Sequence, residues 1–126
     1  MKIIKIAQSE YPIAGSVVDG LNVLNDIPNT DSISASLYNY EVLKGIREVP
    51  MKDFGGPRSV FYAKNDFDRS ERLAEEIRYS KEIKPLIIVI DDEGPYILEG
   101  AHRFVALLYL NKKSFPALVV VEDETD

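Results

Sequence analysis

The run Glu99-Gly-Ala-His-Arg103 carries the strongest chemical signal and contains the only histidine of the chain. The apolar run before it predicts a strand and the one after it a helix, so Gly100 would turn the chain into a helix that starts with His102 and Arg103. Cations at a helix start are unfavourable by about 0.3 to 1 kcal/mol each, because free amide groups already make that end positive. An anion bound there removes this penalty. We therefore predict a phosphate site at this turn.

The same residues also admit a purely structural interpretation. Glu99 and Arg103 are four positions apart and could form a local ion pair, and His102 could cap a neighbouring loop. Beside a phosphate, Glu99 could instead act as a general base or hold a magnesium ion. The sequence leaves both interpretations open, and Glu99 is the candidate catalytic residue.

The second half of the chain has clear signals for regular structure. Asp68 is followed three residues later by Glu71, the spacing of a capping box, and apolar residues then fall on one helical face. Pro85 bars helix continuation before five β-preferring residues. These signals predict a helix at 69–81, a strand at 86–90, a turn at 91–94, a strand at 96–98, a helix at 101–110 and a strand at 116–121.

The first half is weakly patterned. Prolines and glycines punctuate residues 8–36, which are predicted to be irregular. Apolar residues recur unevenly over 37–49 and predict a strand that is broken or turned at Lys44-Gly45.

Two charged stretches are predicted to be solvent-exposed rather than functional. Charges of alternating sign between Arg72 and Arg78 indicate a salt-bridged helix face. The acidic run 91–93 falls in a tight turn, which favours a hairpin tip over a metal site.

Composition limits the classes of function. The chain has 126 residues, 45% hydrophobic and 29% charged, which is typical of one globular domain. The absence of cysteine excludes thiol nucleophiles, disulfides and thiolate zinc sites, and it fits a reducing, cytoplasmic location. The net charge of −6 disfavours nucleic acid and anionic membranes as partners.

No membrane association is predicted. The longest apolar run, Phe104 to Leu110, has seven residues, whereas a spanning helix needs about 18 or more. The N-terminal residues lack the long apolar stretch and cleavage site of a secretion signal. The chain is therefore expected to be cytoplasmic.

Several segments occur in the order found in one known superfamily. Val49-Pro-Met-Lys-Asp-Phe54 resembles the opening strand of the ParB/sulfiredoxin-like superfamily, Pro57-Arg58 its first arginine box, and Gly100 to Arg103 its turn. Further matching runs are Leu73-Ala-Glu-Glu-Ile77, Lys84-Pro-Leu-Ile-Ile-Val89, Tyr96-Ile-Leu-Glu-Gly-Ala-His-Arg-Phe-Val-Ala106 and Phe115-Pro-Ala-Leu-Val119. The resemblance implies a single α+β domain with a small mixed sheet and helices. The domain would be 47–121, with an N-terminal extension, 1–46, packing on it and an acidic tail, 122–126.

The resemblance also implies a ligand. Members of this superfamily bind nucleotide phosphates at the turn and helix start. Some hydrolyse CTP, some use ATP to repair an oxidised cysteine, some phosphorylate free serine, and others are described as nucleases. A nucleoside triphosphate or diphosphate, with magnesium as a candidate ion, would contact residues 100–103, with Arg58 as a second clamp. The set expected at the phosphates is Gly100, Ala101, His102, Arg103 and Arg58, and no metal ligands are assigned.

Departures from the superfamily narrow the reaction. Ala101 stands where sulfiredoxins carry a cysteine, so that repair reaction is not available. Ala101 also replaces the first histidine of the serine kinases, and Lys84 stands in the glutamine position of the partition proteins. No helix-turn-helix reader follows 47–121, which disfavours a chromosome-partition role.

Three functions compete at this point. The first is nucleotide or phosphate binding with phosphotransfer or nucleotide hydrolysis. The alternative is a non-catalytic regulatory or interaction module that keeps the fold and serves a protein partner. The third is a DNA nuclease, which the negative charge balance supports least.

Overall fold

The structure is a computed structural model of the 126-residue chain and describes residues 10–27, 29–54 and 67–122. Within these ranges the chain forms eight strands, three α-helices and one 3-10 helix. The strands are β1 Val17–Val18, β2 Leu21–Val23, β3 Tyr40–Val42, β4 Arg47–Pro50, β5 Glu82–Ile83, β6 Leu86–Asp91, β7 Gly94–Glu99 and β8 Ser114–Glu122. The helices are α1 Asp31–Ser36, α2 Phe67–Ser80 and α3 Ala101–Tyr109, and the 3-10 helix is Met51–Phe54.

The larger sheet is organised around β8. This strand runs antiparallel to β3 and β4, which lie one after the other along one of its edges, and parallel to β6 along its other edge. β7 is the antiparallel partner of β6, so the strand order is β3-β8-β6-β7. Glu99, the last residue of β7, pairs with Ile87 near the start of β6. The following helix α3 therefore begins at that end of the sheet.

A smaller sheet joins the first half of the chain to the second. β1 and β2 form an antiparallel pair, and β2 pairs in parallel with β5, where Asn22 lies beside Glu82 and Val23 beside Ile83. β5 directly follows α2, so the chain after β2 passes close to the C-terminal end of that helix.

Alternate residues of the central strands enter two different hydrophobic clusters. Ile88 and Val119 belong to the larger cluster, which also contains Ile77 of α2 and Phe104 of α3. Their neighbours along β6 and β8 are Ile87, Val89 and Val120, which form the smaller cluster. Ile33 of α1 and Leu37, directly after that helix, complete it. Because successive side chains of a strand point to opposite faces, α2 and α3 cover one face of the sheet and α1 part of the other.

Three phenylalanines tie α3 to the sheet and to the 3-10 helix. The ring centroids of Phe54 and Phe104 are 5.7 Å apart, those of Phe54 and Phe115 5.5 Å, and those of Phe104 and Phe115 5.8 Å. The rings are tilted or edge-on to one another, an arrangement that aromatic quadrupoles favour.

Much of the predicted structure is confirmed. The chain is an α+β protein with mixed sheets, the predicted helix at 69–81 is α2, and the predicted strand-turn-strand at 86–98 is the β6–β7 hairpin. The chain turns at Gly45, whose φ of +80° separates β3 from β4, as the sequence predicts. The domain boundaries at 46 and 121 stay a prediction.

Two expectations are wrong. Residues 8–36 are not uniformly irregular, since β1, β2 and α1 lie within them. These elements are short, and β2 pairs with a strand distant in sequence, so no local periodicity marks them. The segment 49–54 is not a continuous strand either, because the pairing of β4 with β8 ends where Pro50 lies opposite Ser114. With no further β8 residue to pair, the chain turns into the 3-10 helix.

Candidate functional site

The predicted turn connects β7 to α3 through Gly100. This residue is the N-cap of α3 and has φ +103° and ψ +25°, a conformation that residues with a side chain rarely adopt. A Cβ atom at this position would lie 2.8 Å from Arg103 Nη2 and 2.8 Å from Leu86 Cγ. Glycine is thus required here both by its backbone conformation and by the close approach of the arginine.

Arg103 is held under this turn. Its Nη2 donates a hydrogen bond to the carbonyl oxygen of Pro85 at 3.1 Å, which anchors the residue preceding β6. Among the described residues, nothing accepts a hydrogen bond from its buried Nε. Burial lowers the pKa of the guanidinium below its ordinary value, and the nearby charge of Glu99 partly opposes this effect. A buried donor without an acceptor costs free energy that an acceptor group of a ligand would recover.

The turn lines a cleft of about 490 Å³. One wall is a face of α2, another is the chain around β5, and the third is the turn with the start of α3. Lining residues are Leu24, Arg69, Arg72, Leu73, Glu76, Ile77, Ser80, 82–84 and 99–103.

The cleft has mixed charge with a surplus of cationic residues. Arginine and lysine contribute Arg69, Arg72, Lys84 and Arg103, and the imidazole of His102 adds a titratable group. The carboxylates on the same walls are Glu76, Glu82 and Glu99. The cationic side chains of this concave surface attract an anion. The carboxylates accept hydrogen bonds from donor groups of a ligand.

The exposed helix face predicted for residues 72–78 is only partly correct. Glu75 and Arg78 form an ion pair at 2.7 Å on an exposed face of α2, as the charge pattern indicates. Arg72 and Glu76, however, line the cleft. They follow Arg69 at helical spacing and flank Leu73, so a helical projection that included the charged residues would have placed them on one side.

Residues from the first half of the chain complete the cleft. Leu24 lines it, and the backbone amide of Leu24 donates to the Ile83 carbonyl at 3.0 Å. Asp26 forms an ion pair with Lys84 at 3.5 Å. Asn29 Nδ2 donates to Glu99 Oε2 at 3.4 Å. Nothing in the local sequence of residues 24–29 signals these contacts, because each one joins residues that are distant in sequence.

The structure brings together most of the predicted site. Residues 99–103, which include Glu99, Gly100, Ala101, His102 and Arg103, all line the cleft. His102 lies in the first turn of α3 and is half-buried. Arg58, the proposed second clamp, lies outside the described residues. The local ion pair considered for Arg103 is replaced by its hydrogen bond to Pro85, while Glu99 is engaged by Asn29.

The described residues contain neither a cluster of metal ligands nor a membrane-spanning helix. Across 10–27, 29–54 and 67–122, no three side chains of metal-binding type come together. No helix in these ranges is long and apolar enough to cross a membrane.

The comparisons with known proteins show a likeness of the backbone only. No family model matches the sequence, and no curated protein matches it. The chain is similar to the crystal structure of sulfiredoxin from Arabidopsis thaliana, with a TM-score of 0.49 and 23% sequence identity over 59% of this chain and 82% of that one. This likeness assigns neither a ligand nor a reaction to the chain, and the α+β class rests on its own elements and strand order.

Proposed function

We propose that the cleft binds a nucleotide through its phosphates, which contact the start of α3, and that the bound nucleotide undergoes phosphotransfer or hydrolysis. The observation that carries this proposal is the position of Arg103. Its guanidinium lies in the first turn of a helix, under a glycine, with a buried Nε donor that no described residue satisfies. Phosphate oxygens are the acceptors that match a guanidinium and the free amides of a helix start.

The remaining cations of the cleft support the same ligand class. Arg72 and Lys84 reach the cleft from α2 and from the chain after β5, so they surround the turn rather than extend from it. Several cations around one concave surface favour a ligand with more than one negative charge, such as a diphosphate or triphosphate. Magnesium would accompany such a ligand, bound mainly by its phosphate oxygens.

Glu99 is the residue proposed to act in catalysis. It borders the cleft at the end of β7, directly before the phosphate-binding turn. A carboxylate beside a bound phosphate can accept the proton of an attacking hydroxyl or water, or orient a magnesium ion. Either role requires it to be ionised, and its contact with the amide nitrogen of Asn29 is compatible with that state.

Thermal unfolding with a panel of nucleotides and inorganic pyrophosphate, with magnesium present, tests ligand binding. Ligand at about a hundred times its dissociation constant would stabilise the protein by about 2.7 kcal/mol. Arg72→Ala and Lys84→Ala should each weaken binding without loss of the apo fold, because both side chains are largely exposed. Arg78→Ala is the matched control, since Arg78 lies on the same helix but pairs with Glu75 outside the cleft. A wild-type protein that no nucleotide or pyrophosphate stabilises would contradict the proposal.

Arg103 needs a separate measurement because it also holds the chain before β6. Its removal would leave the Pro85 carbonyl without this donor and lower the stability of the apo protein. Affinity measured by calorimetry at a temperature where Arg103→Lys remains folded avoids this effect. We expect weaker binding, because lysine cannot reproduce the planar fork of donors.

Turnover is tested with Glu99→Gln. The variant should bind the nucleotide with similar affinity but release less phosphate or transfer less to an acceptor. Equal turnover by the variant and the wild-type protein would remove Glu99 from the mechanism.

A second candidate function is a regulatory module that binds the ligand without turnover. The hydrogen bond from Asn29 to Glu99 favours it, because this contact links the cleft to the first half of the chain. A change at Glu99 on ligand binding would then reach that half. Tight binding of a nucleotide that stays intact over long incubation would identify this function.

A further inference from the structure

The short strand β3 lies at one edge of the larger sheet, with β8 on one side of it. Among the strands of the described residues, β3 pairs only with β8. The backbone amide of Leu43, just after β3, donates to the Val119 carbonyl of β8 at 2.9 Å. Because alternate residues of a strand direct their backbone groups to opposite sides, Tyr40 and Val42 direct theirs away from β8. No other strand of the described residues pairs with these groups, which can therefore accept a further strand.

Large apolar and aromatic side chains accompany this open edge. Tyr38 is 92% exposed, Val42 43% and Tyr40 36%. Val42 lies directly opposite Val120, a fully buried residue of the smaller hydrophobic cluster. The exposed residues therefore extend a packed face of the sheet to its edge. Proteins commonly protect such edges with lysine, proline or a covering segment, and β3 itself contains neither of these residue types.

The charge around this edge is negative. Glu41 is the exposed middle residue of β3, and Glu122 of β8 lies opposite Tyr40. The exposed residues Asp92 and Glu93 occupy the β6–β7 turn at the same end of the sheet, since β6 and β8 run parallel. Lys44, after the strand, is the nearest cation in sequence. The nucleotide cleft lies at the other end of the sheet, where β6 begins.

We propose that the outer edge of β3, with Tyr38, Tyr40, Glu41 and Val42, docks an extended lysine- and arginine-rich segment of another protein as an additional strand. Its backbone pairs with the outward groups of Tyr40 and Val42, as in other strand-addition complexes. Cations on one face of the added strand lie near Glu41, and cations on its other face lie near Glu122 and over the exposed tyrosine rings, which attract cations through their faces. The proposal is independent of the nucleotide function and leaves the cleft accessible.

Charge decides against a second copy of this chain as the occupant. Two β3 edges paired about a two-fold axis would bring Glu41 of one chain near Glu41 of the other, with both Glu122 side chains close by. Like charges across a strand pair are destabilising, whereas a basic strand replaces this repulsion with attraction.

Nuclear magnetic resonance of the full chain tests the proposal with a defined peptide. The peptide is Lys-Lys-Val-Lys-Lys-Thr-Lys with blocked ends, which carries lysines on both faces of an extended strand, and its matched control carries glutamate at each lysine position. The basic peptide should give saturable shifts of backbone amide resonances centred on 40–42. It should also slow solvent exchange of the Tyr40 and Val42 amides, and the acidic peptide should do neither.

Three variants separate edge docking from general attraction to an acidic protein. Glu41→Lys should weaken binding about tenfold or more, a change of about 1.4 kcal/mol or more. Val42→Pro should also weaken it, because proline lacks the outward amide donor but removes no bond to β8. Glu71→Lys, the same charge change at an exposed position of α2, should leave affinity within about twofold.

Each other outcome overturns the proposal. Absence of saturable shifts up to about 1 mM peptide would mean that the edge has no useful affinity for such strands. Equal weakening by Glu71→Lys would reduce the effect to net charge. A dimer in sedimentation experiments, with the Tyr40 and Val42 amides already protected, would assign the edge to a second copy of the chain.

Discussion

Gly100 and Arg103 form a single unit in which each residue depends on the other. The arginine reaches back under the turn to the Pro85 carbonyl, and it can do so only because position 100 carries no side chain. The same packing buries its Nε, for which no described residue serves as an acceptor. The cation at the helix start is therefore a structural tie between the turn and the chain before β6.

The first prediction concerns Gly100→Ala. The new Cβ would lie 2.8 Å from Leu86 Cγ and 2.8 Å from Arg103 Nη2. The alanine would also have to keep a backbone φ of +103°. Gly94→Ala is the matched control, because Gly94 has the same φ of +103° but no atom within 4 Å of its Cβ position. We expect about 1 to 2 kcal/mol of destabilisation for Gly94→Ala from the backbone alone, and about 1 to 3 kcal/mol more for Gly100→Ala. Denaturant unfolding measures both, and equal losses would contradict the packing argument.

The second prediction concerns Tyr11, whose buried hydroxyl donates to Asp53 Oδ2 at 3.0 Å. Burial, followed by the charge of Asp53, raises the pKa of this phenol well above its ordinary value of 10.0. Tyr11→Phe should cost about 1 to 2 kcal/mol near neutral pH, because it removes a hydrogen bond to a carboxylate. Denaturant unfolding over a pH series measures this cost.

The sign of the pH dependence follows from the raised pKa. Above about pH 10 the unfolded chain releases the Tyr11 proton while the folded chain retains it, so the wild-type protein loses stability as pH rises. Phenylalanine has no such proton, and Tyr11→Phe should decline less steeply over the same range. A stability difference that stays constant with pH up to alkaline values would show that Tyr11 does not carry this linkage.

At the scale of elements, the position of α3 depends on its contact with the 3-10 helix and β8. Phe104 packs against Phe54 and Phe115, and the same helix begins at the Gly100 turn that lines the cleft. A change in this aromatic cluster therefore reaches the cleft through the helix. The smaller hydrophobic cluster, on the opposite face of the sheet, has no such connection with α3.

The third prediction tests this connection with a double-mutant cycle. Phe104→Leu and Phe54→Leu should show a coupling free energy of about 0.5 to 1.5 kcal/mol, because the two rings are in direct contact. Phe104→Leu combined with Ile33→Val should be additive within about 0.5 kcal/mol, since Ile33 belongs to the other cluster. Denaturant unfolding provides all the free energies. Coupling of equal size in both pairs would mean that the faces of the sheet are not independent.

At the scale of the whole molecule, the cleft is assembled from segments that are far apart in the chain. The turn and the start of α3 supply one wall and α2 another, while Asp26 contacts Lys84 and Asn29 contacts Glu99. The first half of the chain therefore belongs to the candidate site.

The fourth prediction concerns Asp26, whose ion pair with Lys84 would compete with the proposed anionic ligand. Asp26→Asn should tighten pyrophosphate binding about twofold to fivefold at low salt, because an exposed ion pair is worth at most about 1 kcal/mol. The gain should shrink at high salt through screening. Asp92→Asn, the same charge change at the β6–β7 turn, is the control and should leave affinity unchanged. Calorimetry measures both variants, and weaker binding by Asp26→Asn would show that Asp26 supports the site instead.

The success of the sequence analysis follows the range of the interactions involved. The helix at 67–80 and the β6–β7 hairpin were predictable because caps, proline positions and periodicity act over a few residues. The turn at Gly100 was predictable for the same reason. β2 was missed because its partner β5 is distant in sequence. The solvent exposure of Arg72 was predicted correctly, but its position on the cleft was not, because nothing local shows what faces it.

The sequence by itself determined which residues occupy the turn between β7 and α3, since the conformational freedom of glycine and the dipole of the following helix are local properties. Only the tertiary structure decided that Arg103 bonds to Pro85, that Asp26 and Asn29 contact Lys84 and Glu99, and that no other strand of the described residues pairs with the outer edge of β3. Those contacts depend on which distant strands pair, and strand pairing is fixed by the packing of the whole core rather than by any short segment.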